Sequence, residues 1–296
     1  MYAVIDIGSN TIRLSLYHVH DGAITLLANK KVTAGLAGYV QNGHMVAEGI
    51  RRGEEALSEL TTFLSYVQVK KRICFATAPL RGIDNAEEVR MRFERICNAP
   101  VTILSGEEEA AIDFIGVKRN LADSEGLIVD IGGGSTELVY YVDGTVRSSC
   151  SIPVGSLVMY RNCVRDIIPT PEEMTRIRDT VSAALAASSL PDRIPVICGI
   201  GGTVRGCGRL LRHLLHDKKK SREYTPEDIA GLLGRERHAL ADFILREEPD
   251  RIHTIVPGAC ILLAIADRVQ AKQVRVSRTG VREGCLMHYL ESGEVN

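Results

Sequence analysis

The sequence predicts a two-domain α/β protein, and three observations carry that prediction. A strand–turn–strand motif built on Asp-Ile-Gly occurs twice, at Ala3 to Leu14 and at Leu127 to Tyr141. Both copies then reach an Asp-Gly turn, Asp21-Gly22 and Asp143-Gly144, and a third strand. Asp-Gly between alternating segments is a strong hairpin signal. A repeat of this length implies two similar halves, whose turns are expected to face each other across a cleft. At 296 residues the chain has room for two domains, each of about 150 residues.

Taken in order, residues 2–29 read as a three-stranded meander. Alternation in Ile12-Arg13-Leu14-Ser15-Leu16-Tyr17 gives its second strand one buried face. Residues 30–44 are glycine-rich and are expected to be a loop. Ile50, Leu57, Leu60 and Leu64 recur at helical spacing between Met45 and Leu64. Arg72 to Thr77 reads as a short buried strand. Asp84 to Cys97 reads as an amphipathic helix with Asp84 as its N-cap. A strand at Val101 to Leu104 and a helix from Gly106 to Asn120 follow. The polar break at Ala122 to Gly126 marks the expected boundary, giving domains 1–121 and 122–296, with the last helix a candidate to pack back on the first.

In the second half the meander spans about 126–152. Thr170-Pro171-Glu172-Glu173 and Thr225-Pro226-Glu227-Asp228 each open a helix, since Pro suits the first helical position and the Thr–acid spacing fits a capping box. Pro195 to Gly199 reads as a strand leading into Gly201-Gly202-Thr203 and a helix. Further helices are expected over Arg235–Arg246, Pro257–Val269 and Val281–Leu290, with a strand at Val274–Ser277.

Apolar content of 45% supports real cores, and the net charge of −1 creates no global field for nucleic acid or an anionic membrane. A polyanion site must therefore be local. The run Arg212 to Arg222, with Lys218-Lys219-Lys220 at its centre, is one candidate, although a solvated loop gives the same pattern. No segment reaches the roughly 18 apolar residues of a membrane span. The eight cysteines show no C-x-x-C pair, so metal spacing is absent and a reducing cytoplasm is the simplest account. Histidines 18, 20, 44, 213, 216, 238, 253 and 288 show no triad or metal pattern and read as structural.

The chemistry concentrates in the turns. In Asp130-Ile131-Gly132-Gly133-Gly134-Ser135-Thr136-Glu137, three glycines let backbone N–H groups approach a ligand, and successive N–H groups form an anion site. Gly8, Ser9, Asn10 and Thr11 are the first-half counterparts. Asp6, Asp130 and Glu137 suit a divalent cation, because carboxylates beside a phosphate usually act through one. Gly201, Gly202 and Thr203 lie between a strand and a helix, a natural place for an anion. Arg81 follows a strand end and suits bidentate phosphate contact. Each motif alone fits a blander role as a turn, cap or surface group.

Ser105-Gly106-Glu107-Glu108-Glu109 needs separate weighing. Ser105 to Glu108 has capping-box spacing, and Glu107 suits the helix dipole and water. Glu109 is left for chemistry, and the helix N-terminus should keep it ionised, as a base must be.

The ordered set of motifs resembles the actin/sugar-kinase/Hsp70 superfamily and, within it, the exopolyphosphatase / guanosine pentaphosphate phosphatase (Ppx/GppA) family. The set comprises the turn at Asp6, Ala76 to Arg81, Ser105 to Ala110, Asp130 to Glu137, Pro153 to Ser156, Gly199 to Thr203, Arg251 to Leu263 and Gly280 to Gly284. The resemblance implies two actin-like, ribonuclease H-like α/β domains, each a mixed five-stranded sheet flanked by helices. It implies hydrolysis of a terminal phosphoanhydride, with inorganic polyphosphate or guanosine pentaphosphate as partner and Mg²⁺, or Mn²⁺, as cofactor. It places the water-activating glutamate at Glu109, with Glu108 next. Neither nucleic acid nor membrane is expected as a partner, and a homodimer is left open. The alternatives are a small-molecule kinase of the same superfamily and a non-catalytic polyphosphate or nucleotide sensor. Against the resemblance, the chain is expected to be a short form without the extra C-terminal helical domain of long members, and to differ in Pro79 and Gly82 around Arg81 and in Arg278, where an acid is common.

Overall fold

Strands β1 (Tyr2–Ile7), β2 (Thr11–His20) and β3 (Ala23–Thr33) form an antiparallel meander in the computed structural model, which describes residues 1–217 and 221–293. Alternation buries Ile12, Leu14 and Leu16 on one face of β2. The expected loop over residues 30–44 is more ordered than its glycines suggest. Lys30 and Lys31 continue β3 opposite Leu14 and Arg13. A 3-10 turn, Leu36–Tyr39, and a small hairpin of β4 (Val40–Gln41) and β5 (His44–Met45) fill the rest.

Helix α1 (Ala47–Leu64), β6 (Lys71–Ala76), α2 (Ala86–Cys97), β7 (Val101–Ile103) and α3 (Gly106–Lys118) follow. The helix expected from Asp84 starts two residues later, with Asn85 as N-cap and no side-chain capping bond. The cause is the hairpin: Asp84 Oδ1 pairs with His44 Nδ1 at 2.6 Å, and the Asn85 amide bonds both the N–H and the C=O of Met45. The first sheet has the order β3-β2-β1-β6-β7, with β6 and β7 parallel to β1. Leu57, Leu60, Phe93 and Cys97 pack on one face of it, and Ile112, Cys285 and Leu286 on the other.

The second sheet begins with β8 (Glu125–Ile131), β9 (Thr136–Val142) and β10 (Thr145–Ile152). Next come α4 (Ser156–Cys163), α5 (Pro171–Leu185), β11 (Val196–Ile200), α6 (Gly201–Leu214), β12 (Glu223–Tyr224), α7 (Pro226–Leu233), α8 (Arg237–Glu247), α9 (Ile255–Arg268) and β13 (Gln273–Val276). The order is β10-β9-β8-β11-β13-β12, so a two-residue edge strand joins the five that were expected. A pair that short leaves no alternation to read. Both capping boxes form as the sequence requires, at Thr170/Glu173 and Thr225/Asp228.

The chain divides into two compact units, Val117–Gly280 and Met1–Gly116 with the last helix, α10 (Val281–Ser292). The division falls within the last turn of α3, a few residues before the polar break that marked it in the sequence. Helix α10 packs on the first sheet. Tyr17 donates to Glu283 Oε1 at 2.5 Å, and Arg282 Nη1 donates to Ser15 Oγ at 2.7 Å. Among the described residues no helix is long and apolar enough to cross a membrane. Lys218-Lys219-Lys220 lie outside the described residues.

Candidate functional site

In the first unit, the turn from Gly8 to Asn10 joins β1 to β2. Its carbonyls are held from one side. Ser9 O accepts from Ala37 N at 3.0 Å, and Asn10 O accepts from Ala34 N at 3.0 Å and Gly35 N at 2.9 Å. A peptide C=O and the next N–H point in opposite directions across a trans bond. Anchoring Ser9 O therefore turns the Asn10 N–H away from the protein.

The second unit repeats the device with different parts. Gly132 O accepts from Ser156 N at 2.9 Å and Ser156 Oγ at 3.0 Å, and Gly133 O accepts from Leu157 N and Val158 N, each at 3.0 Å. The first turn of α4 thus grips two glycine carbonyls. By the same geometry the N–H groups of Gly133 and Gly134 face the other way, and no described residue accepts from them. Gly155, the N-cap of α4, makes the approach possible, because a Cβ there would overlap the Gly133–Gly134 backbone. The sequence reading missed α4. Its signal was the small pair Gly155-Ser156 ahead of Leu157-Val158-Met159.

The strand ends differ in chemistry. In β8–β9, Asp130 stands opposite Glu137, and in β1–β2 Asp6 stands opposite Arg13. Residues directly opposed in an antiparallel pair share a face about 5 Å apart. The second unit therefore opposes two carboxylates where the first opposes an acid and a base. Like charges that close are destabilising unless something positive lies between them, and an acid pair of this kind fits a hard divalent cation. Glu137 is 1% exposed, and its Oε1 accepts from Ser135 Oγ at 2.7 Å and Ser151 Oγ at 2.8 Å. Among the described residues no group of three or more His, Cys, Asp or Glu is spaced to hold a metal by itself.

Gly201 has φ +74°, a left-handed conformation, and Asp130 Oδ1 occupies the space where its Cβ would be. This brings the start of α6 against the end of β8, so Asp130, Gly201 and the glycine turn are neighbours. Thr136 is fully buried and its hydroxyl donates to Val154 O at 2.6 Å, so that hydroxyl braces the turn. Thr203 is 3% exposed, with its methyl packed into the space of the missing side chain at Gly258.

The three glutamates of α3 separate cleanly. Glu107 is exposed. Glu108 Oε2 accepts from Ser105 N at 2.7 Å, while Ser105 Oγ accepts from Glu108 N at 3.1 Å, a complete capping box. Glu109 turns about 100° further round the helix and is buried, paired through Oε2 with Arg81 Nη2. Arg81 Nε donates to Leu104 O at 3.1 Å, which fixes the guanidinium. Arg81 thus orients Glu109, a link that the sequence did not show.

Burial pushes the Cys285 thiol well up, and the carboxylates of Asp6, Asp113, Glu109 and Glu283 push it further. Asp113 was missed. It lies one turn beyond Glu109 on α3 and is fully buried, and its spacing of four residues from Glu109 was the available signal.

Two α/β units that repeat a strand–turn–strand element with outward-facing N–H groups define an actin-like fold of the actin/sugar-kinase/Hsp70 class. The model of the Ppx/GppA phosphatase family matches residues 15–293, and the chain belongs to that family. Exopolyphosphatase 1 of Mycobacterium tuberculosis is 27% identical over 305 residues, covering 98% of this chain and 88% of that protein. The crystal structure of an exopolyphosphatase from Cytophaga hutchinsonii superposes with a TM-score of 0.86 at 22% identity, covering 100% of this chain and 99% of that one. The Ppx/GppA family member of Aquifex aeolicus superposes with a TM-score of 0.78 at 25% identity, covering 99% and 98%.

Proposed function

We propose that the protein is an exopolyphosphatase that hydrolyses the terminal phosphoanhydride of inorganic polyphosphate. The observation that carries the reading is the buried Glu109, held by Arg81, in a chain of this family. Phosphoryl transfer needs charge neutralisation and in-line positioning more than covalent chemistry. The residues supply both. In the first unit the Asn10 N–H and Ser9, and in the second unit the N–H groups of Gly133 and Gly134, are each suited to donate to phosphate oxygens. Glu109 accepts a proton from water as the water oxygen bonds to the terminal phosphorus. The bridging P–O bond breaks, and its electron pair leaves with the shortened chain. Arg81 keeps the Glu109 carboxylate at one angle throughout.

In the second unit the opposed pair Asp130 and Glu137 fits a Mg²⁺ ion. When bound, the ion neutralises charge on the phosphoryl oxygens. Guanosine pentaphosphate ends in the same anhydride and is the second candidate substrate. The test is orthophosphate release from polyphosphate and from guanosine pentaphosphate, side by side, with Mg²⁺ and then with excess chelator. Release from polyphosphate that stops in chelator is the expected result. Full activity in chelator overturns the metal role. A phosphorylated small molecule formed from ATP, without release, overturns the hydrolase reading.

A further inference from the structure

Two features of the chain take no part in that reaction. One is Arg212 and Arg222, which bound a basic run, and the other is Arg278. They meet in one place. Arg205, Arg209 and Arg212 from α6, Arg222 ahead of β12, and Arg278 after β13 line a single cavity of about 230 Å³ in the second unit. Gly208 lets α6 lie close to the sheet edge, since a Cβ there would come within 3.1 Å of Val276 and 3.3 Å of Tyr224.

Among the described residues no carboxylate lines this cavity. Glu248 neutralises Arg209 through both of its oxygens. Arg212, Arg222 and Arg278 have no ion-pair partner among the described residues. Arg212 Nε is buried with no hydrogen-bond acceptor. A buried donor left unmade costs about 1–3 kcal/mol. Like charges gathered in one recess also repel. Both costs disappear if an anion enters. Guanidinium groups present a planar fork that matches phosphate oxygens two at a time. Three unneutralised forks exceed the need of one phosphate.

A second cavity, of about 420 Å³, adjoins the first and shares Arg222, Ser277 and Arg278 with it. Asn120, Tyr141, Asp123 and Glu223 also line it, a polar space with room for a group attached to the phosphates. The cavity runs along α6 from the turn: Arg205 stands four residues after Gly201 and Ser277 N donates to Gly199 O at 2.9 Å, while Arg212 lies about 16 Å from Gly201, at about 1.5 Å per residue.

We propose that this arginine cavity binds a chain of two or more anhydride-linked phosphates, free or carried on a nucleotide. The choice of a phosphate chain rests on the proposed function, whereas the affinity for a polyanion does not. The test is calorimetric titration of tripolyphosphate, in chelator, into the whole protein and into an Arg222→Ala/Arg278→Ala variant. The variant is expected to bind at least ~10-fold more weakly at one class of site, the loss of charge-assisted contacts. Its melting temperature and its turnover of a saturating short chain are expected to be unchanged.

Equal binding by the two proteins overturns the proposal. So does orthophosphate that binds as tightly as tripolyphosphate. Should the protein release no phosphate at all, an arginine-dependent titration would still uphold the site, so the two readings fail separately. GDP binding more tightly than pyrophosphate assigns the phosphates to a nucleotide, and equal affinity assigns them to a free chain.

Discussion

Glu108 and Glu109 are adjacent in sequence and carry the same side chain, yet the helix gives them different work. Glu108 closes the N-terminus of α3 through Ser105, and Glu109 is buried against Arg81. Conservative substitutions should separate the two roles. Glu109→Gln is expected to lower phosphate release at least ~100-fold, the low end for losing a general base, with an unchanged melting curve. Glu108→Gln keeps the capping geometry and is expected to leave turnover near normal. Ser105→Ala removes the other half of the box and is expected to cost about 1 kcal/mol of stability in denaturant titration. If Glu108→Gln abolishes release while Glu109→Gln spares it, the assignment reverses. Sequence spacing alone favoured this division, because the capping box uses up Glu108. The anchor on Glu109 was illegible, since Arg81 reaches it from a loop 28 residues away.

At the scale of elements, the proposed donor turn depends on an element behind it that holds its carbonyls. In the second unit that element is α4, and Gly155 is its point of approach. A side chain there has to displace the Gly133–Gly134 backbone. Gly155→Ala is therefore expected to lower kcat at least ~10-fold through misplaced donors, as a displacement near 1 Å does. The same change at Gly231, on α7, meets nothing within 4 Å and is expected to leave kcat unaltered. Equal kcat for wild type and Gly155→Ala would show that the grip of α4 is dispensable. Elements whose start carries its own capping chemistry were readable, as Thr170 and Thr225 show. Elements defined by a partner elsewhere were not. Asp84 looked like a cap but bonds His44, and β12 exists only by pairing with β13. Helix α4 starts at a glycine with no side-chain cap.

For the whole molecule, titration of buried groups sets the alkaline limit of stability. All eight cysteines are free. Burial pushes the thiols of Cys207 and Cys260 up to about 12, both in the core of the second unit. In the unfolded chain a thiol titrates near about 8.5. Below that pH the thiols are protonated in both states and stability is fully present. Above it the unfolded chain releases protons that the folded chain keeps, so stability falls with rising pH until the folded value is reached. Each such thiol contributes a slope of up to about 1.4 kcal/mol per pH unit between those limits. In the first unit the Tyr17 hydroxyl, pushed up by burial and by Glu283, adds a loss of the same sign above about pH 10, the ordinary phenol range. The unfolding free energy from denaturant titration is thus expected to be lower at pH 10 than at pH 7. A Cys207→Ala/Cys260→Ala variant starts less stable at pH 7, because it leaves small cavities. It is nonetheless expected to lose less between the two pH values. A wild-type protein equally stable at both, or a variant with the same slope, would show that these thiols do not stay protonated in the core.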